Sequence, residues 1–192
     1  MYIVILFIIE FVLWDRTSSN SSVITVNRAT TTWNGSTWSI PPTTSTLAII
    51  NGNYDTAING NFECCSLNVN DGITLTITPD RYALVQNNLN VAGTLNVMNS
   101  GSLVQVNDLG VNTGVISYQR STTGNLFDYV HWSSPVNGAT TPGGNIYAWD
   151  AVVGNPNGGQ GNWFGAANTV MSAGIGYIMR DVFSRNFVGT PR

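Results

Sequence analysis

Between residues 66 and 105 the chain alternates apolar and polar positions in runs of three to five residues, and the runs recur. Ser66-Leu67-Asn68-Val69 returns as Asn88-Leu89-Asn90-Val91 and again as Asp108-Leu109-Gly110-Val111, with the leucines 22 and 20 residues apart. Thr74-Leu75-Thr76-Ile77 returns as Thr94-Leu95-Asn96-Val97, and Ala83-Leu84-Val85-Gln86 as Ser102-Leu103-Val104-Gln105. Three different short strands therefore repeat in one order with nearly one period. Alternation of this kind puts one face inward and one outward. The intervening Asn70-Asp71-Gly72, Ala92-Gly93 and Asn99-Ser100-Gly101 are turn formers that tolerate positive φ at low cost. Strand, turn, strand, turn, strand, turn predicts one coil of a β-solenoid, whose coils bury their apolar face only by stacking. The predicted inward set is Leu67, Val69, Leu75, Ile77, Leu89, Val91, Leu95 and Val97. An antiparallel sandwich of hairpins has the same alternation, but the ordered triple recurrence favours the solenoid.

The expected fold is all-β: a short right-handed parallel β-solenoid of about 20-residue coils, followed by a smaller β-rich, sandwich-like module. Residues 1–29 form a signal-like apolar segment (Met1–Trp14) and a Ser/Thr/Asn-rich leader. Residues 30–114 form the solenoid, with a cap bearing Trp33 and Trp38. Residues 115–192 form an aromatic module that reads as part of a longer protein. Met1–Trp14 is shorter than the roughly 20 residues that cross a bilayer, so membrane contact is expected only through this segment.

Composition narrows the partners. Only 9% of the 192 residues are charged, lysine is absent, and the net charge is −3. That leaves no basic footprint for nucleic acid. Asn, Thr, Ser and Gly supply the polar surface, as in extracellular β-proteins.

The elements Thr32-Trp33-Asn34-Gly35, Ile50-Asn51-Gly52-Asn53-Tyr54-Asp55-Thr56, Asn88-Leu89-Asn90-Val91, Gly101-Ser102-Leu103-Val104-Gln105 and Tyr129-Val130-His131-Trp132-Ser133-Ser134-Pro135 carry a resemblance. Over about residues 30–180 the chain resembles the N-terminal regions of large secreted, adhesin-like surface proteins of flavobacteria and other Bacteroidetes, cargo of the type IX secretion system. The resemblance implies a secreted or outer-cell-surface location. It brings no catalytic residue with it.

Candidate chemistry is sparse. A glycosidase needs two carboxylates about 5–10 Å apart, and no pair of acids is spaced to suggest one. Asp71, Asp80 and Asp108 sit in turns, where a carboxylate satisfies backbone N–H groups; a calcium site is the lesser alternative. His131, the one histidine, sits in an aromatic strand without a nucleophile motif. Cys64 and Cys65 are adjacent, so in a strand they point to opposite faces. Two reduced thiols are expected, one inward and one in a turn; a vicinal disulfide is the alternative. Two cysteines and a distant histidine do not make a zinc site. The glycine-rich Gly154–Trp163 stretch lacks a phosphate-binding pattern. No metal or cofactor is expected.

Trp132, Trp149, Trp163 and Tyr177 are the candidate ligand-binding residues, stacking on sugar rings; such aromatics also make the core of small β modules. The expected function is a non-catalytic structural or adhesive part of a larger surface protein, with glycans or other cell-surface molecules as partners. Two alternatives stand beside it. One is a carbohydrate-binding module using exposed aromatics. The other is a polysaccharide-degrading solenoid enzyme in which Asp71, Asp80 or Asp108 converges with Arg81.

Overall fold

The computed structural model describes residues 28–151, 161–172 and 174–192. The signal-like segment, nearly all of the leader and most of the glycine-rich stretch lie outside the described residues. The described chain is almost all β, with a β-solenoid of about four turns and further sheets.

The first solenoid face stacks β1 (Thr30–Trp33), β2 (Leu47–Ile50), β5 (Ser66–Val69), the start of β8 (Leu89–Val97) and the start of β10 (Asn112–Ser121), all parallel. The second stacks β3 (Tyr54–Asp55), β6 (Thr74–Ile77), the end of β8 and the middle of β10. The third stacks β4 (Phe62–Cys64), β7 (Tyr82–Val85) and β9 (Ser102–Gln105). One helical turn, α1 (Thr56–Asn59), makes the corner between β3 and β4; the Asp55 side chain caps it by accepting from the Ala57 N–H.

Register makes the repeat physical. Ala48, Leu67 and Leu89 lie one above another, as do Ile50, Val69 and Val91, and Tyr54, Leu75, Leu95 and Ile116. All eight residues of the expected inward set are buried. Leu109 departs from the expected stack. Asn112 is the residue in register above Leu89, while Leu109 sits in a turn and is 88% exposed. Asn107 organises that turn: its side chain accepts from the Leu109 N–H and its carbonyl from the Gly110 N–H. The coil there is 23 residues long, so extending a 20-residue period lands in the corner instead of the strand.

The asparagines that dominate the composition hold the corners. Asn53, Asn61, Asn88 and Asn99 each accept, through the side-chain oxygen, from a backbone N–H one coil further on, at Thr74, Tyr82, Val111 and Ser121. At these four positions the N–H takes a side-chain oxygen instead of a backbone carbonyl, and a short carboxamide satisfies it without introducing charge.

The N-terminal end is plugged. After Trp33 the chain doubles back, with Trp38 bridging to Trp33. Trp33, Trp38, Tyr54 and Phe62 then pack ring against ring, tilted or edge to face, with centroids 4.8–5.6 Å apart. The Trp33 indole N–H donates to the Asn53 carbonyl. The Tyr54 hydroxyl reaches the Asn59 and Gly60 carbonyls, tying α1 to the plug.

At the other end β16 (Ser184–Pro191) lies antiparallel on β10 and in turn pairs with β12 (Val136–Asn137). β10 runs through residue 114, so solenoid and module share one sheet. A separate antiparallel sheet, in the order β11 (Tyr129–Trp132), β15 (Tyr177–Arg180), β13 (Ile146–Asp150), β14 (Asn162–Gly165), packs against this end through the Trp132–Phe187 ring contact. The buried apolar residues of both parts form one cluster.

Candidate functional site

The second sheet has two unlike faces. Val130, Trp132, Tyr177, Met179, Ile146 and Ala148 point into the core. The intervening residues point away: Tyr129 and His131 on β11, Ile178 and Arg180 on β15, Tyr147 and Trp149 on β13, and Trp163 on β14. The pairing brings Trp149 opposite Trp163 and Ile178 opposite both His131 and Tyr147.

This sorts the four residues singled out from the sequence. Trp132 and Tyr177 are buried. The Trp132 indole N–H donates to the Val182 carbonyl, and the Tyr177 hydroxyl accepts from the Ser172 N–H, so both polar atoms serve the fold. Trp149 and Trp163 are 38% and 48% exposed. Their rings meet edge to face, with centroids 5.0 Å apart and planes at 65°. Tyr129 and Tyr147 continue the aromatic row, with centroids 6.3 Å apart. Beyond them the Arg180 guanidinium covers the Phe127 ring at 4.5 Å. Beside Trp149 lies a hollow of about 480 Å³, lined also by Phe164, Val170 and Ile175, all well exposed. Tyr129 lies outside the four residues singled out from the sequence, and so does Tyr147. The signal for Tyr147 is the alternation Ile146-Tyr147-Ala148-Trp149, which puts it on the face of Trp149.

The other chemical candidates are dispersed. Asp71 lies at the corner between β5 and β6, Asp80 between β6 and β7, and Asp108 between β9 and β10. Three corners of a solenoid face three directions, so these acids do not converge with Arg81 in one cleft. Among the described residues no group of three or more His, Cys, Asp or Glu side chains is placed to hold a metal. His131 is exposed on the aromatic face.

Cys64 and Cys65 are both free thiols. Cys64 points inward, in register with Val85. Cys65 sits at a corner, where its sulfur accepts from Arg28 Nη1 at 3.0 Å and from Asn87 Nδ2 at 3.2 Å; Asn87 in turn accepts from Asn107. Burial first, and the neighbouring Cys65 second, push the Cys64 thiol up to about 12. The folded chain then holds a proton that the unfolded chain releases near pH 9. Stability is expected to be fully present below about pH 9 and to fall at about 1.4 kcal/mol per pH unit as pH rises towards 12. Urea unfolding at pH 8 and 10.5 reads this loss directly. Cys64→Ala is expected to flatten it; an equal alkaline loss in that variant would assign the effect to other groups.

With the geometry in place, comparison with protein families gives one match, to the family described as "Domain of unknown function (DUF8693)", across residues 25–191. The chain belongs to this family. Neither curated proteins nor solved structures gave a match. The family match spans both the solenoid and the aromatic sheet.

Proposed function

We propose that the chain is a non-catalytic structural and adhesive part of a larger secreted or cell-surface protein, in which the solenoid is a stiff spacer and the aromatic sheet face is the contact surface. The observation that carries this reading is the outward row of exposed Tyr129, half-buried Tyr147, and exposed Trp149 and Trp163, on a sheet whose opposite face is core along β11, β15 and β13. Exposed large aromatics gathered on one rigid face mark an interaction surface more often than solitary ones do. Each strand of that face is held by at least one neighbour, so binding needs little ordering. The stacked coils, with their asparagine corners, give a body whose length is set by coil number.

Aromatic rings flanked by neutral polar groups suit the C–H faces of sugars, which makes glycans the partner class. The edge-to-face angle of Trp149 and Trp163 means that one ring is the platform and the other a wall, instead of two coplanar platforms. The resemblance to surface proteins of Bacteroidetes supports the surface location and the type IX export route.

Retention on insoluble polysaccharides and on a glycan array is the test. The intact chain is expected to bind at least one glycan, and Trp149→Ala or Trp163→Ala to weaken binding about tenfold, the loss of roughly 1.4 kcal/mol of stacking. Thermal melting of both variants checks the fold. Absence of any retained glycan, or undiminished retention in both variants, would remove the reading.

A further inference from the structure

The first coil of the solenoid is incomplete. It contributes β1 to the first face but no strand to the third, where β4 is the edge. The segment Pro41–Thr44 passes there instead, and between it and the strands lies a groove of about 560 Å³, within the range of small-ligand sites. Its chemistry is mixed. Tyr82 projects from β7 with 37% of its surface exposed. Glu63 projects from β4 beside it, the Tyr82 hydroxyl lying 3.5 Å from the carboxylate. Trp38 closes one end, its ring held 5.6 Å from those of Tyr54 and Phe62. Asn59 and Asn61 add carboxamides; the Asn61 oxygen is taken by the Tyr82 N–H, which leaves its NH₂ as a donor.

We infer that this groove is a second binding site, separate from the aromatic sheet face, for a neutral or amino-bearing pyranose unit. A pyranose presents an apolar C–H face and a rim of hydroxyls. The groove offers aromatic faces for the first, and a carboxylate acceptor with amide donors for the second. Glu63 is the charged residue in its lining, and no arginine accompanies it. A carboxylate without a cation repels an acidic sugar, accepts from hydroxyls and attracts an ammonium. The floor is built on two strands of a parallel ladder with Asn61 pinning one to the next, so the groove is formed before any ligand arrives.

The test is residue-resolved ¹⁵N amide shifts of the full chain, titrated with maltotriose, cellotriose, mannotriose, chitosan trimer and, as the acidic counterpart, trigalacturonate. At least one neutral or amino trimer is expected to shift the signals of residues 59–63 and Tyr82, with trigalacturonate silent. Tyr82→Ala is expected to weaken the response at least tenfold and Glu63→Gln severalfold. Both residues project from the outer face, so the unliganded spectrum checks that each variant folds. Shifts confined to residues 147–163 would support the sheet face and overturn the groove. No shift at residues 59–63, an equal response to trigalacturonate, or an unaltered response in Tyr82→Ala would also overturn it.

Discussion

Leu95→Ala is expected to cost about 2–5 kcal/mol of stability, and Leu109→Ala to stay within about 0.5 kcal/mol of neutral. Both leucines belong to the sequence repeat, and only coordinates separate them. Leu95 is fully buried, stacked between Leu75 below and Ile116 above. Its truncation leaves a cavity in a column whose neighbours are fixed by ladder bonds and cannot collapse inward. Leu109 projects from a corner held by Asn107, and truncation removes surface that water already wets. Chemical denaturation of the two variants decides it. Equal losses would mean that Leu109 is covered by something in the folded chain, and the stacking of Asn112 on Leu89 would then be wrong. A solenoid passes strain mainly to its nearest coils. Hydrogen exchange in Leu95→Ala should therefore rise most in β6, β8 and β10.

The solenoid was legible because its signal is local and repeated. Each strand carries its own alternation, and stacking only multiplies it. The corners were less legible. At Asn99-Ser100-Gly101 the positive φ falls on Ser100, at 63°, while Gly101 is where a side chain would strike the Ile77 and Thr78 carbonyls. Sequence marks that corner as a turn but does not say which residue bends and which is crowded. The last coil misled for a related reason. The motif Leu-x-Val at 109–111 copies the strand pattern, yet a coil of 23 residues instead of 20 shifts the strand to residue 112.

The aromatic module was legible only as a composition. Its strands pair with partners far along the chain: Trp149 with Trp163, and His131 with Ile178. Which aromatics stay outside depends on that pairing. Alternation within Tyr129-Val130-His131-Trp132 separates Tyr129 from Trp132 without saying which one is buried. Trp132 is the one that meets Phe187 of β16. The groove beside Tyr82 had no signal at all. It exists because a strand is missing from the first coil, and an absent strand leaves no motif.

Gly114→Ala is expected to destabilise the chain by about 3 kcal/mol or more, the sum of backbone strain and overlap. Gly114 has φ of 85°, a conformation that costs an L-residue strain, and a Cβ there would overlap the Val91 carbonyl. The position is a joint. On β8 three residues turn the corner between Val91 and Leu95, whereas on β10 only Val115 separates Gly114 from Ile116. β10 cuts the corner, and in doing so it presents Ile116–Ser121 to β16. Gly72→Ala supplies the control. Its φ is 71°, but nothing lies within 4 Å of the added atom, so it isolates the strain at about 1 kcal/mol. The damage in Gly114→Ala should be directional, because β16 and the aromatic sheet hang on β10 while the first coils are plugged at their own end by Trp33 and Trp38. Limited proteolysis is expected to release the region after residue 121 first, with the earlier coils cut more slowly. Equal melting of Gly114→Ala and Gly72→Ala would show that the β8–β10 joint is not as close as drawn. Uniform proteolysis would show that solenoid and module unfold as one unit, which would make the shared sheet, and not the coil-to-coil stack, the unit of stability.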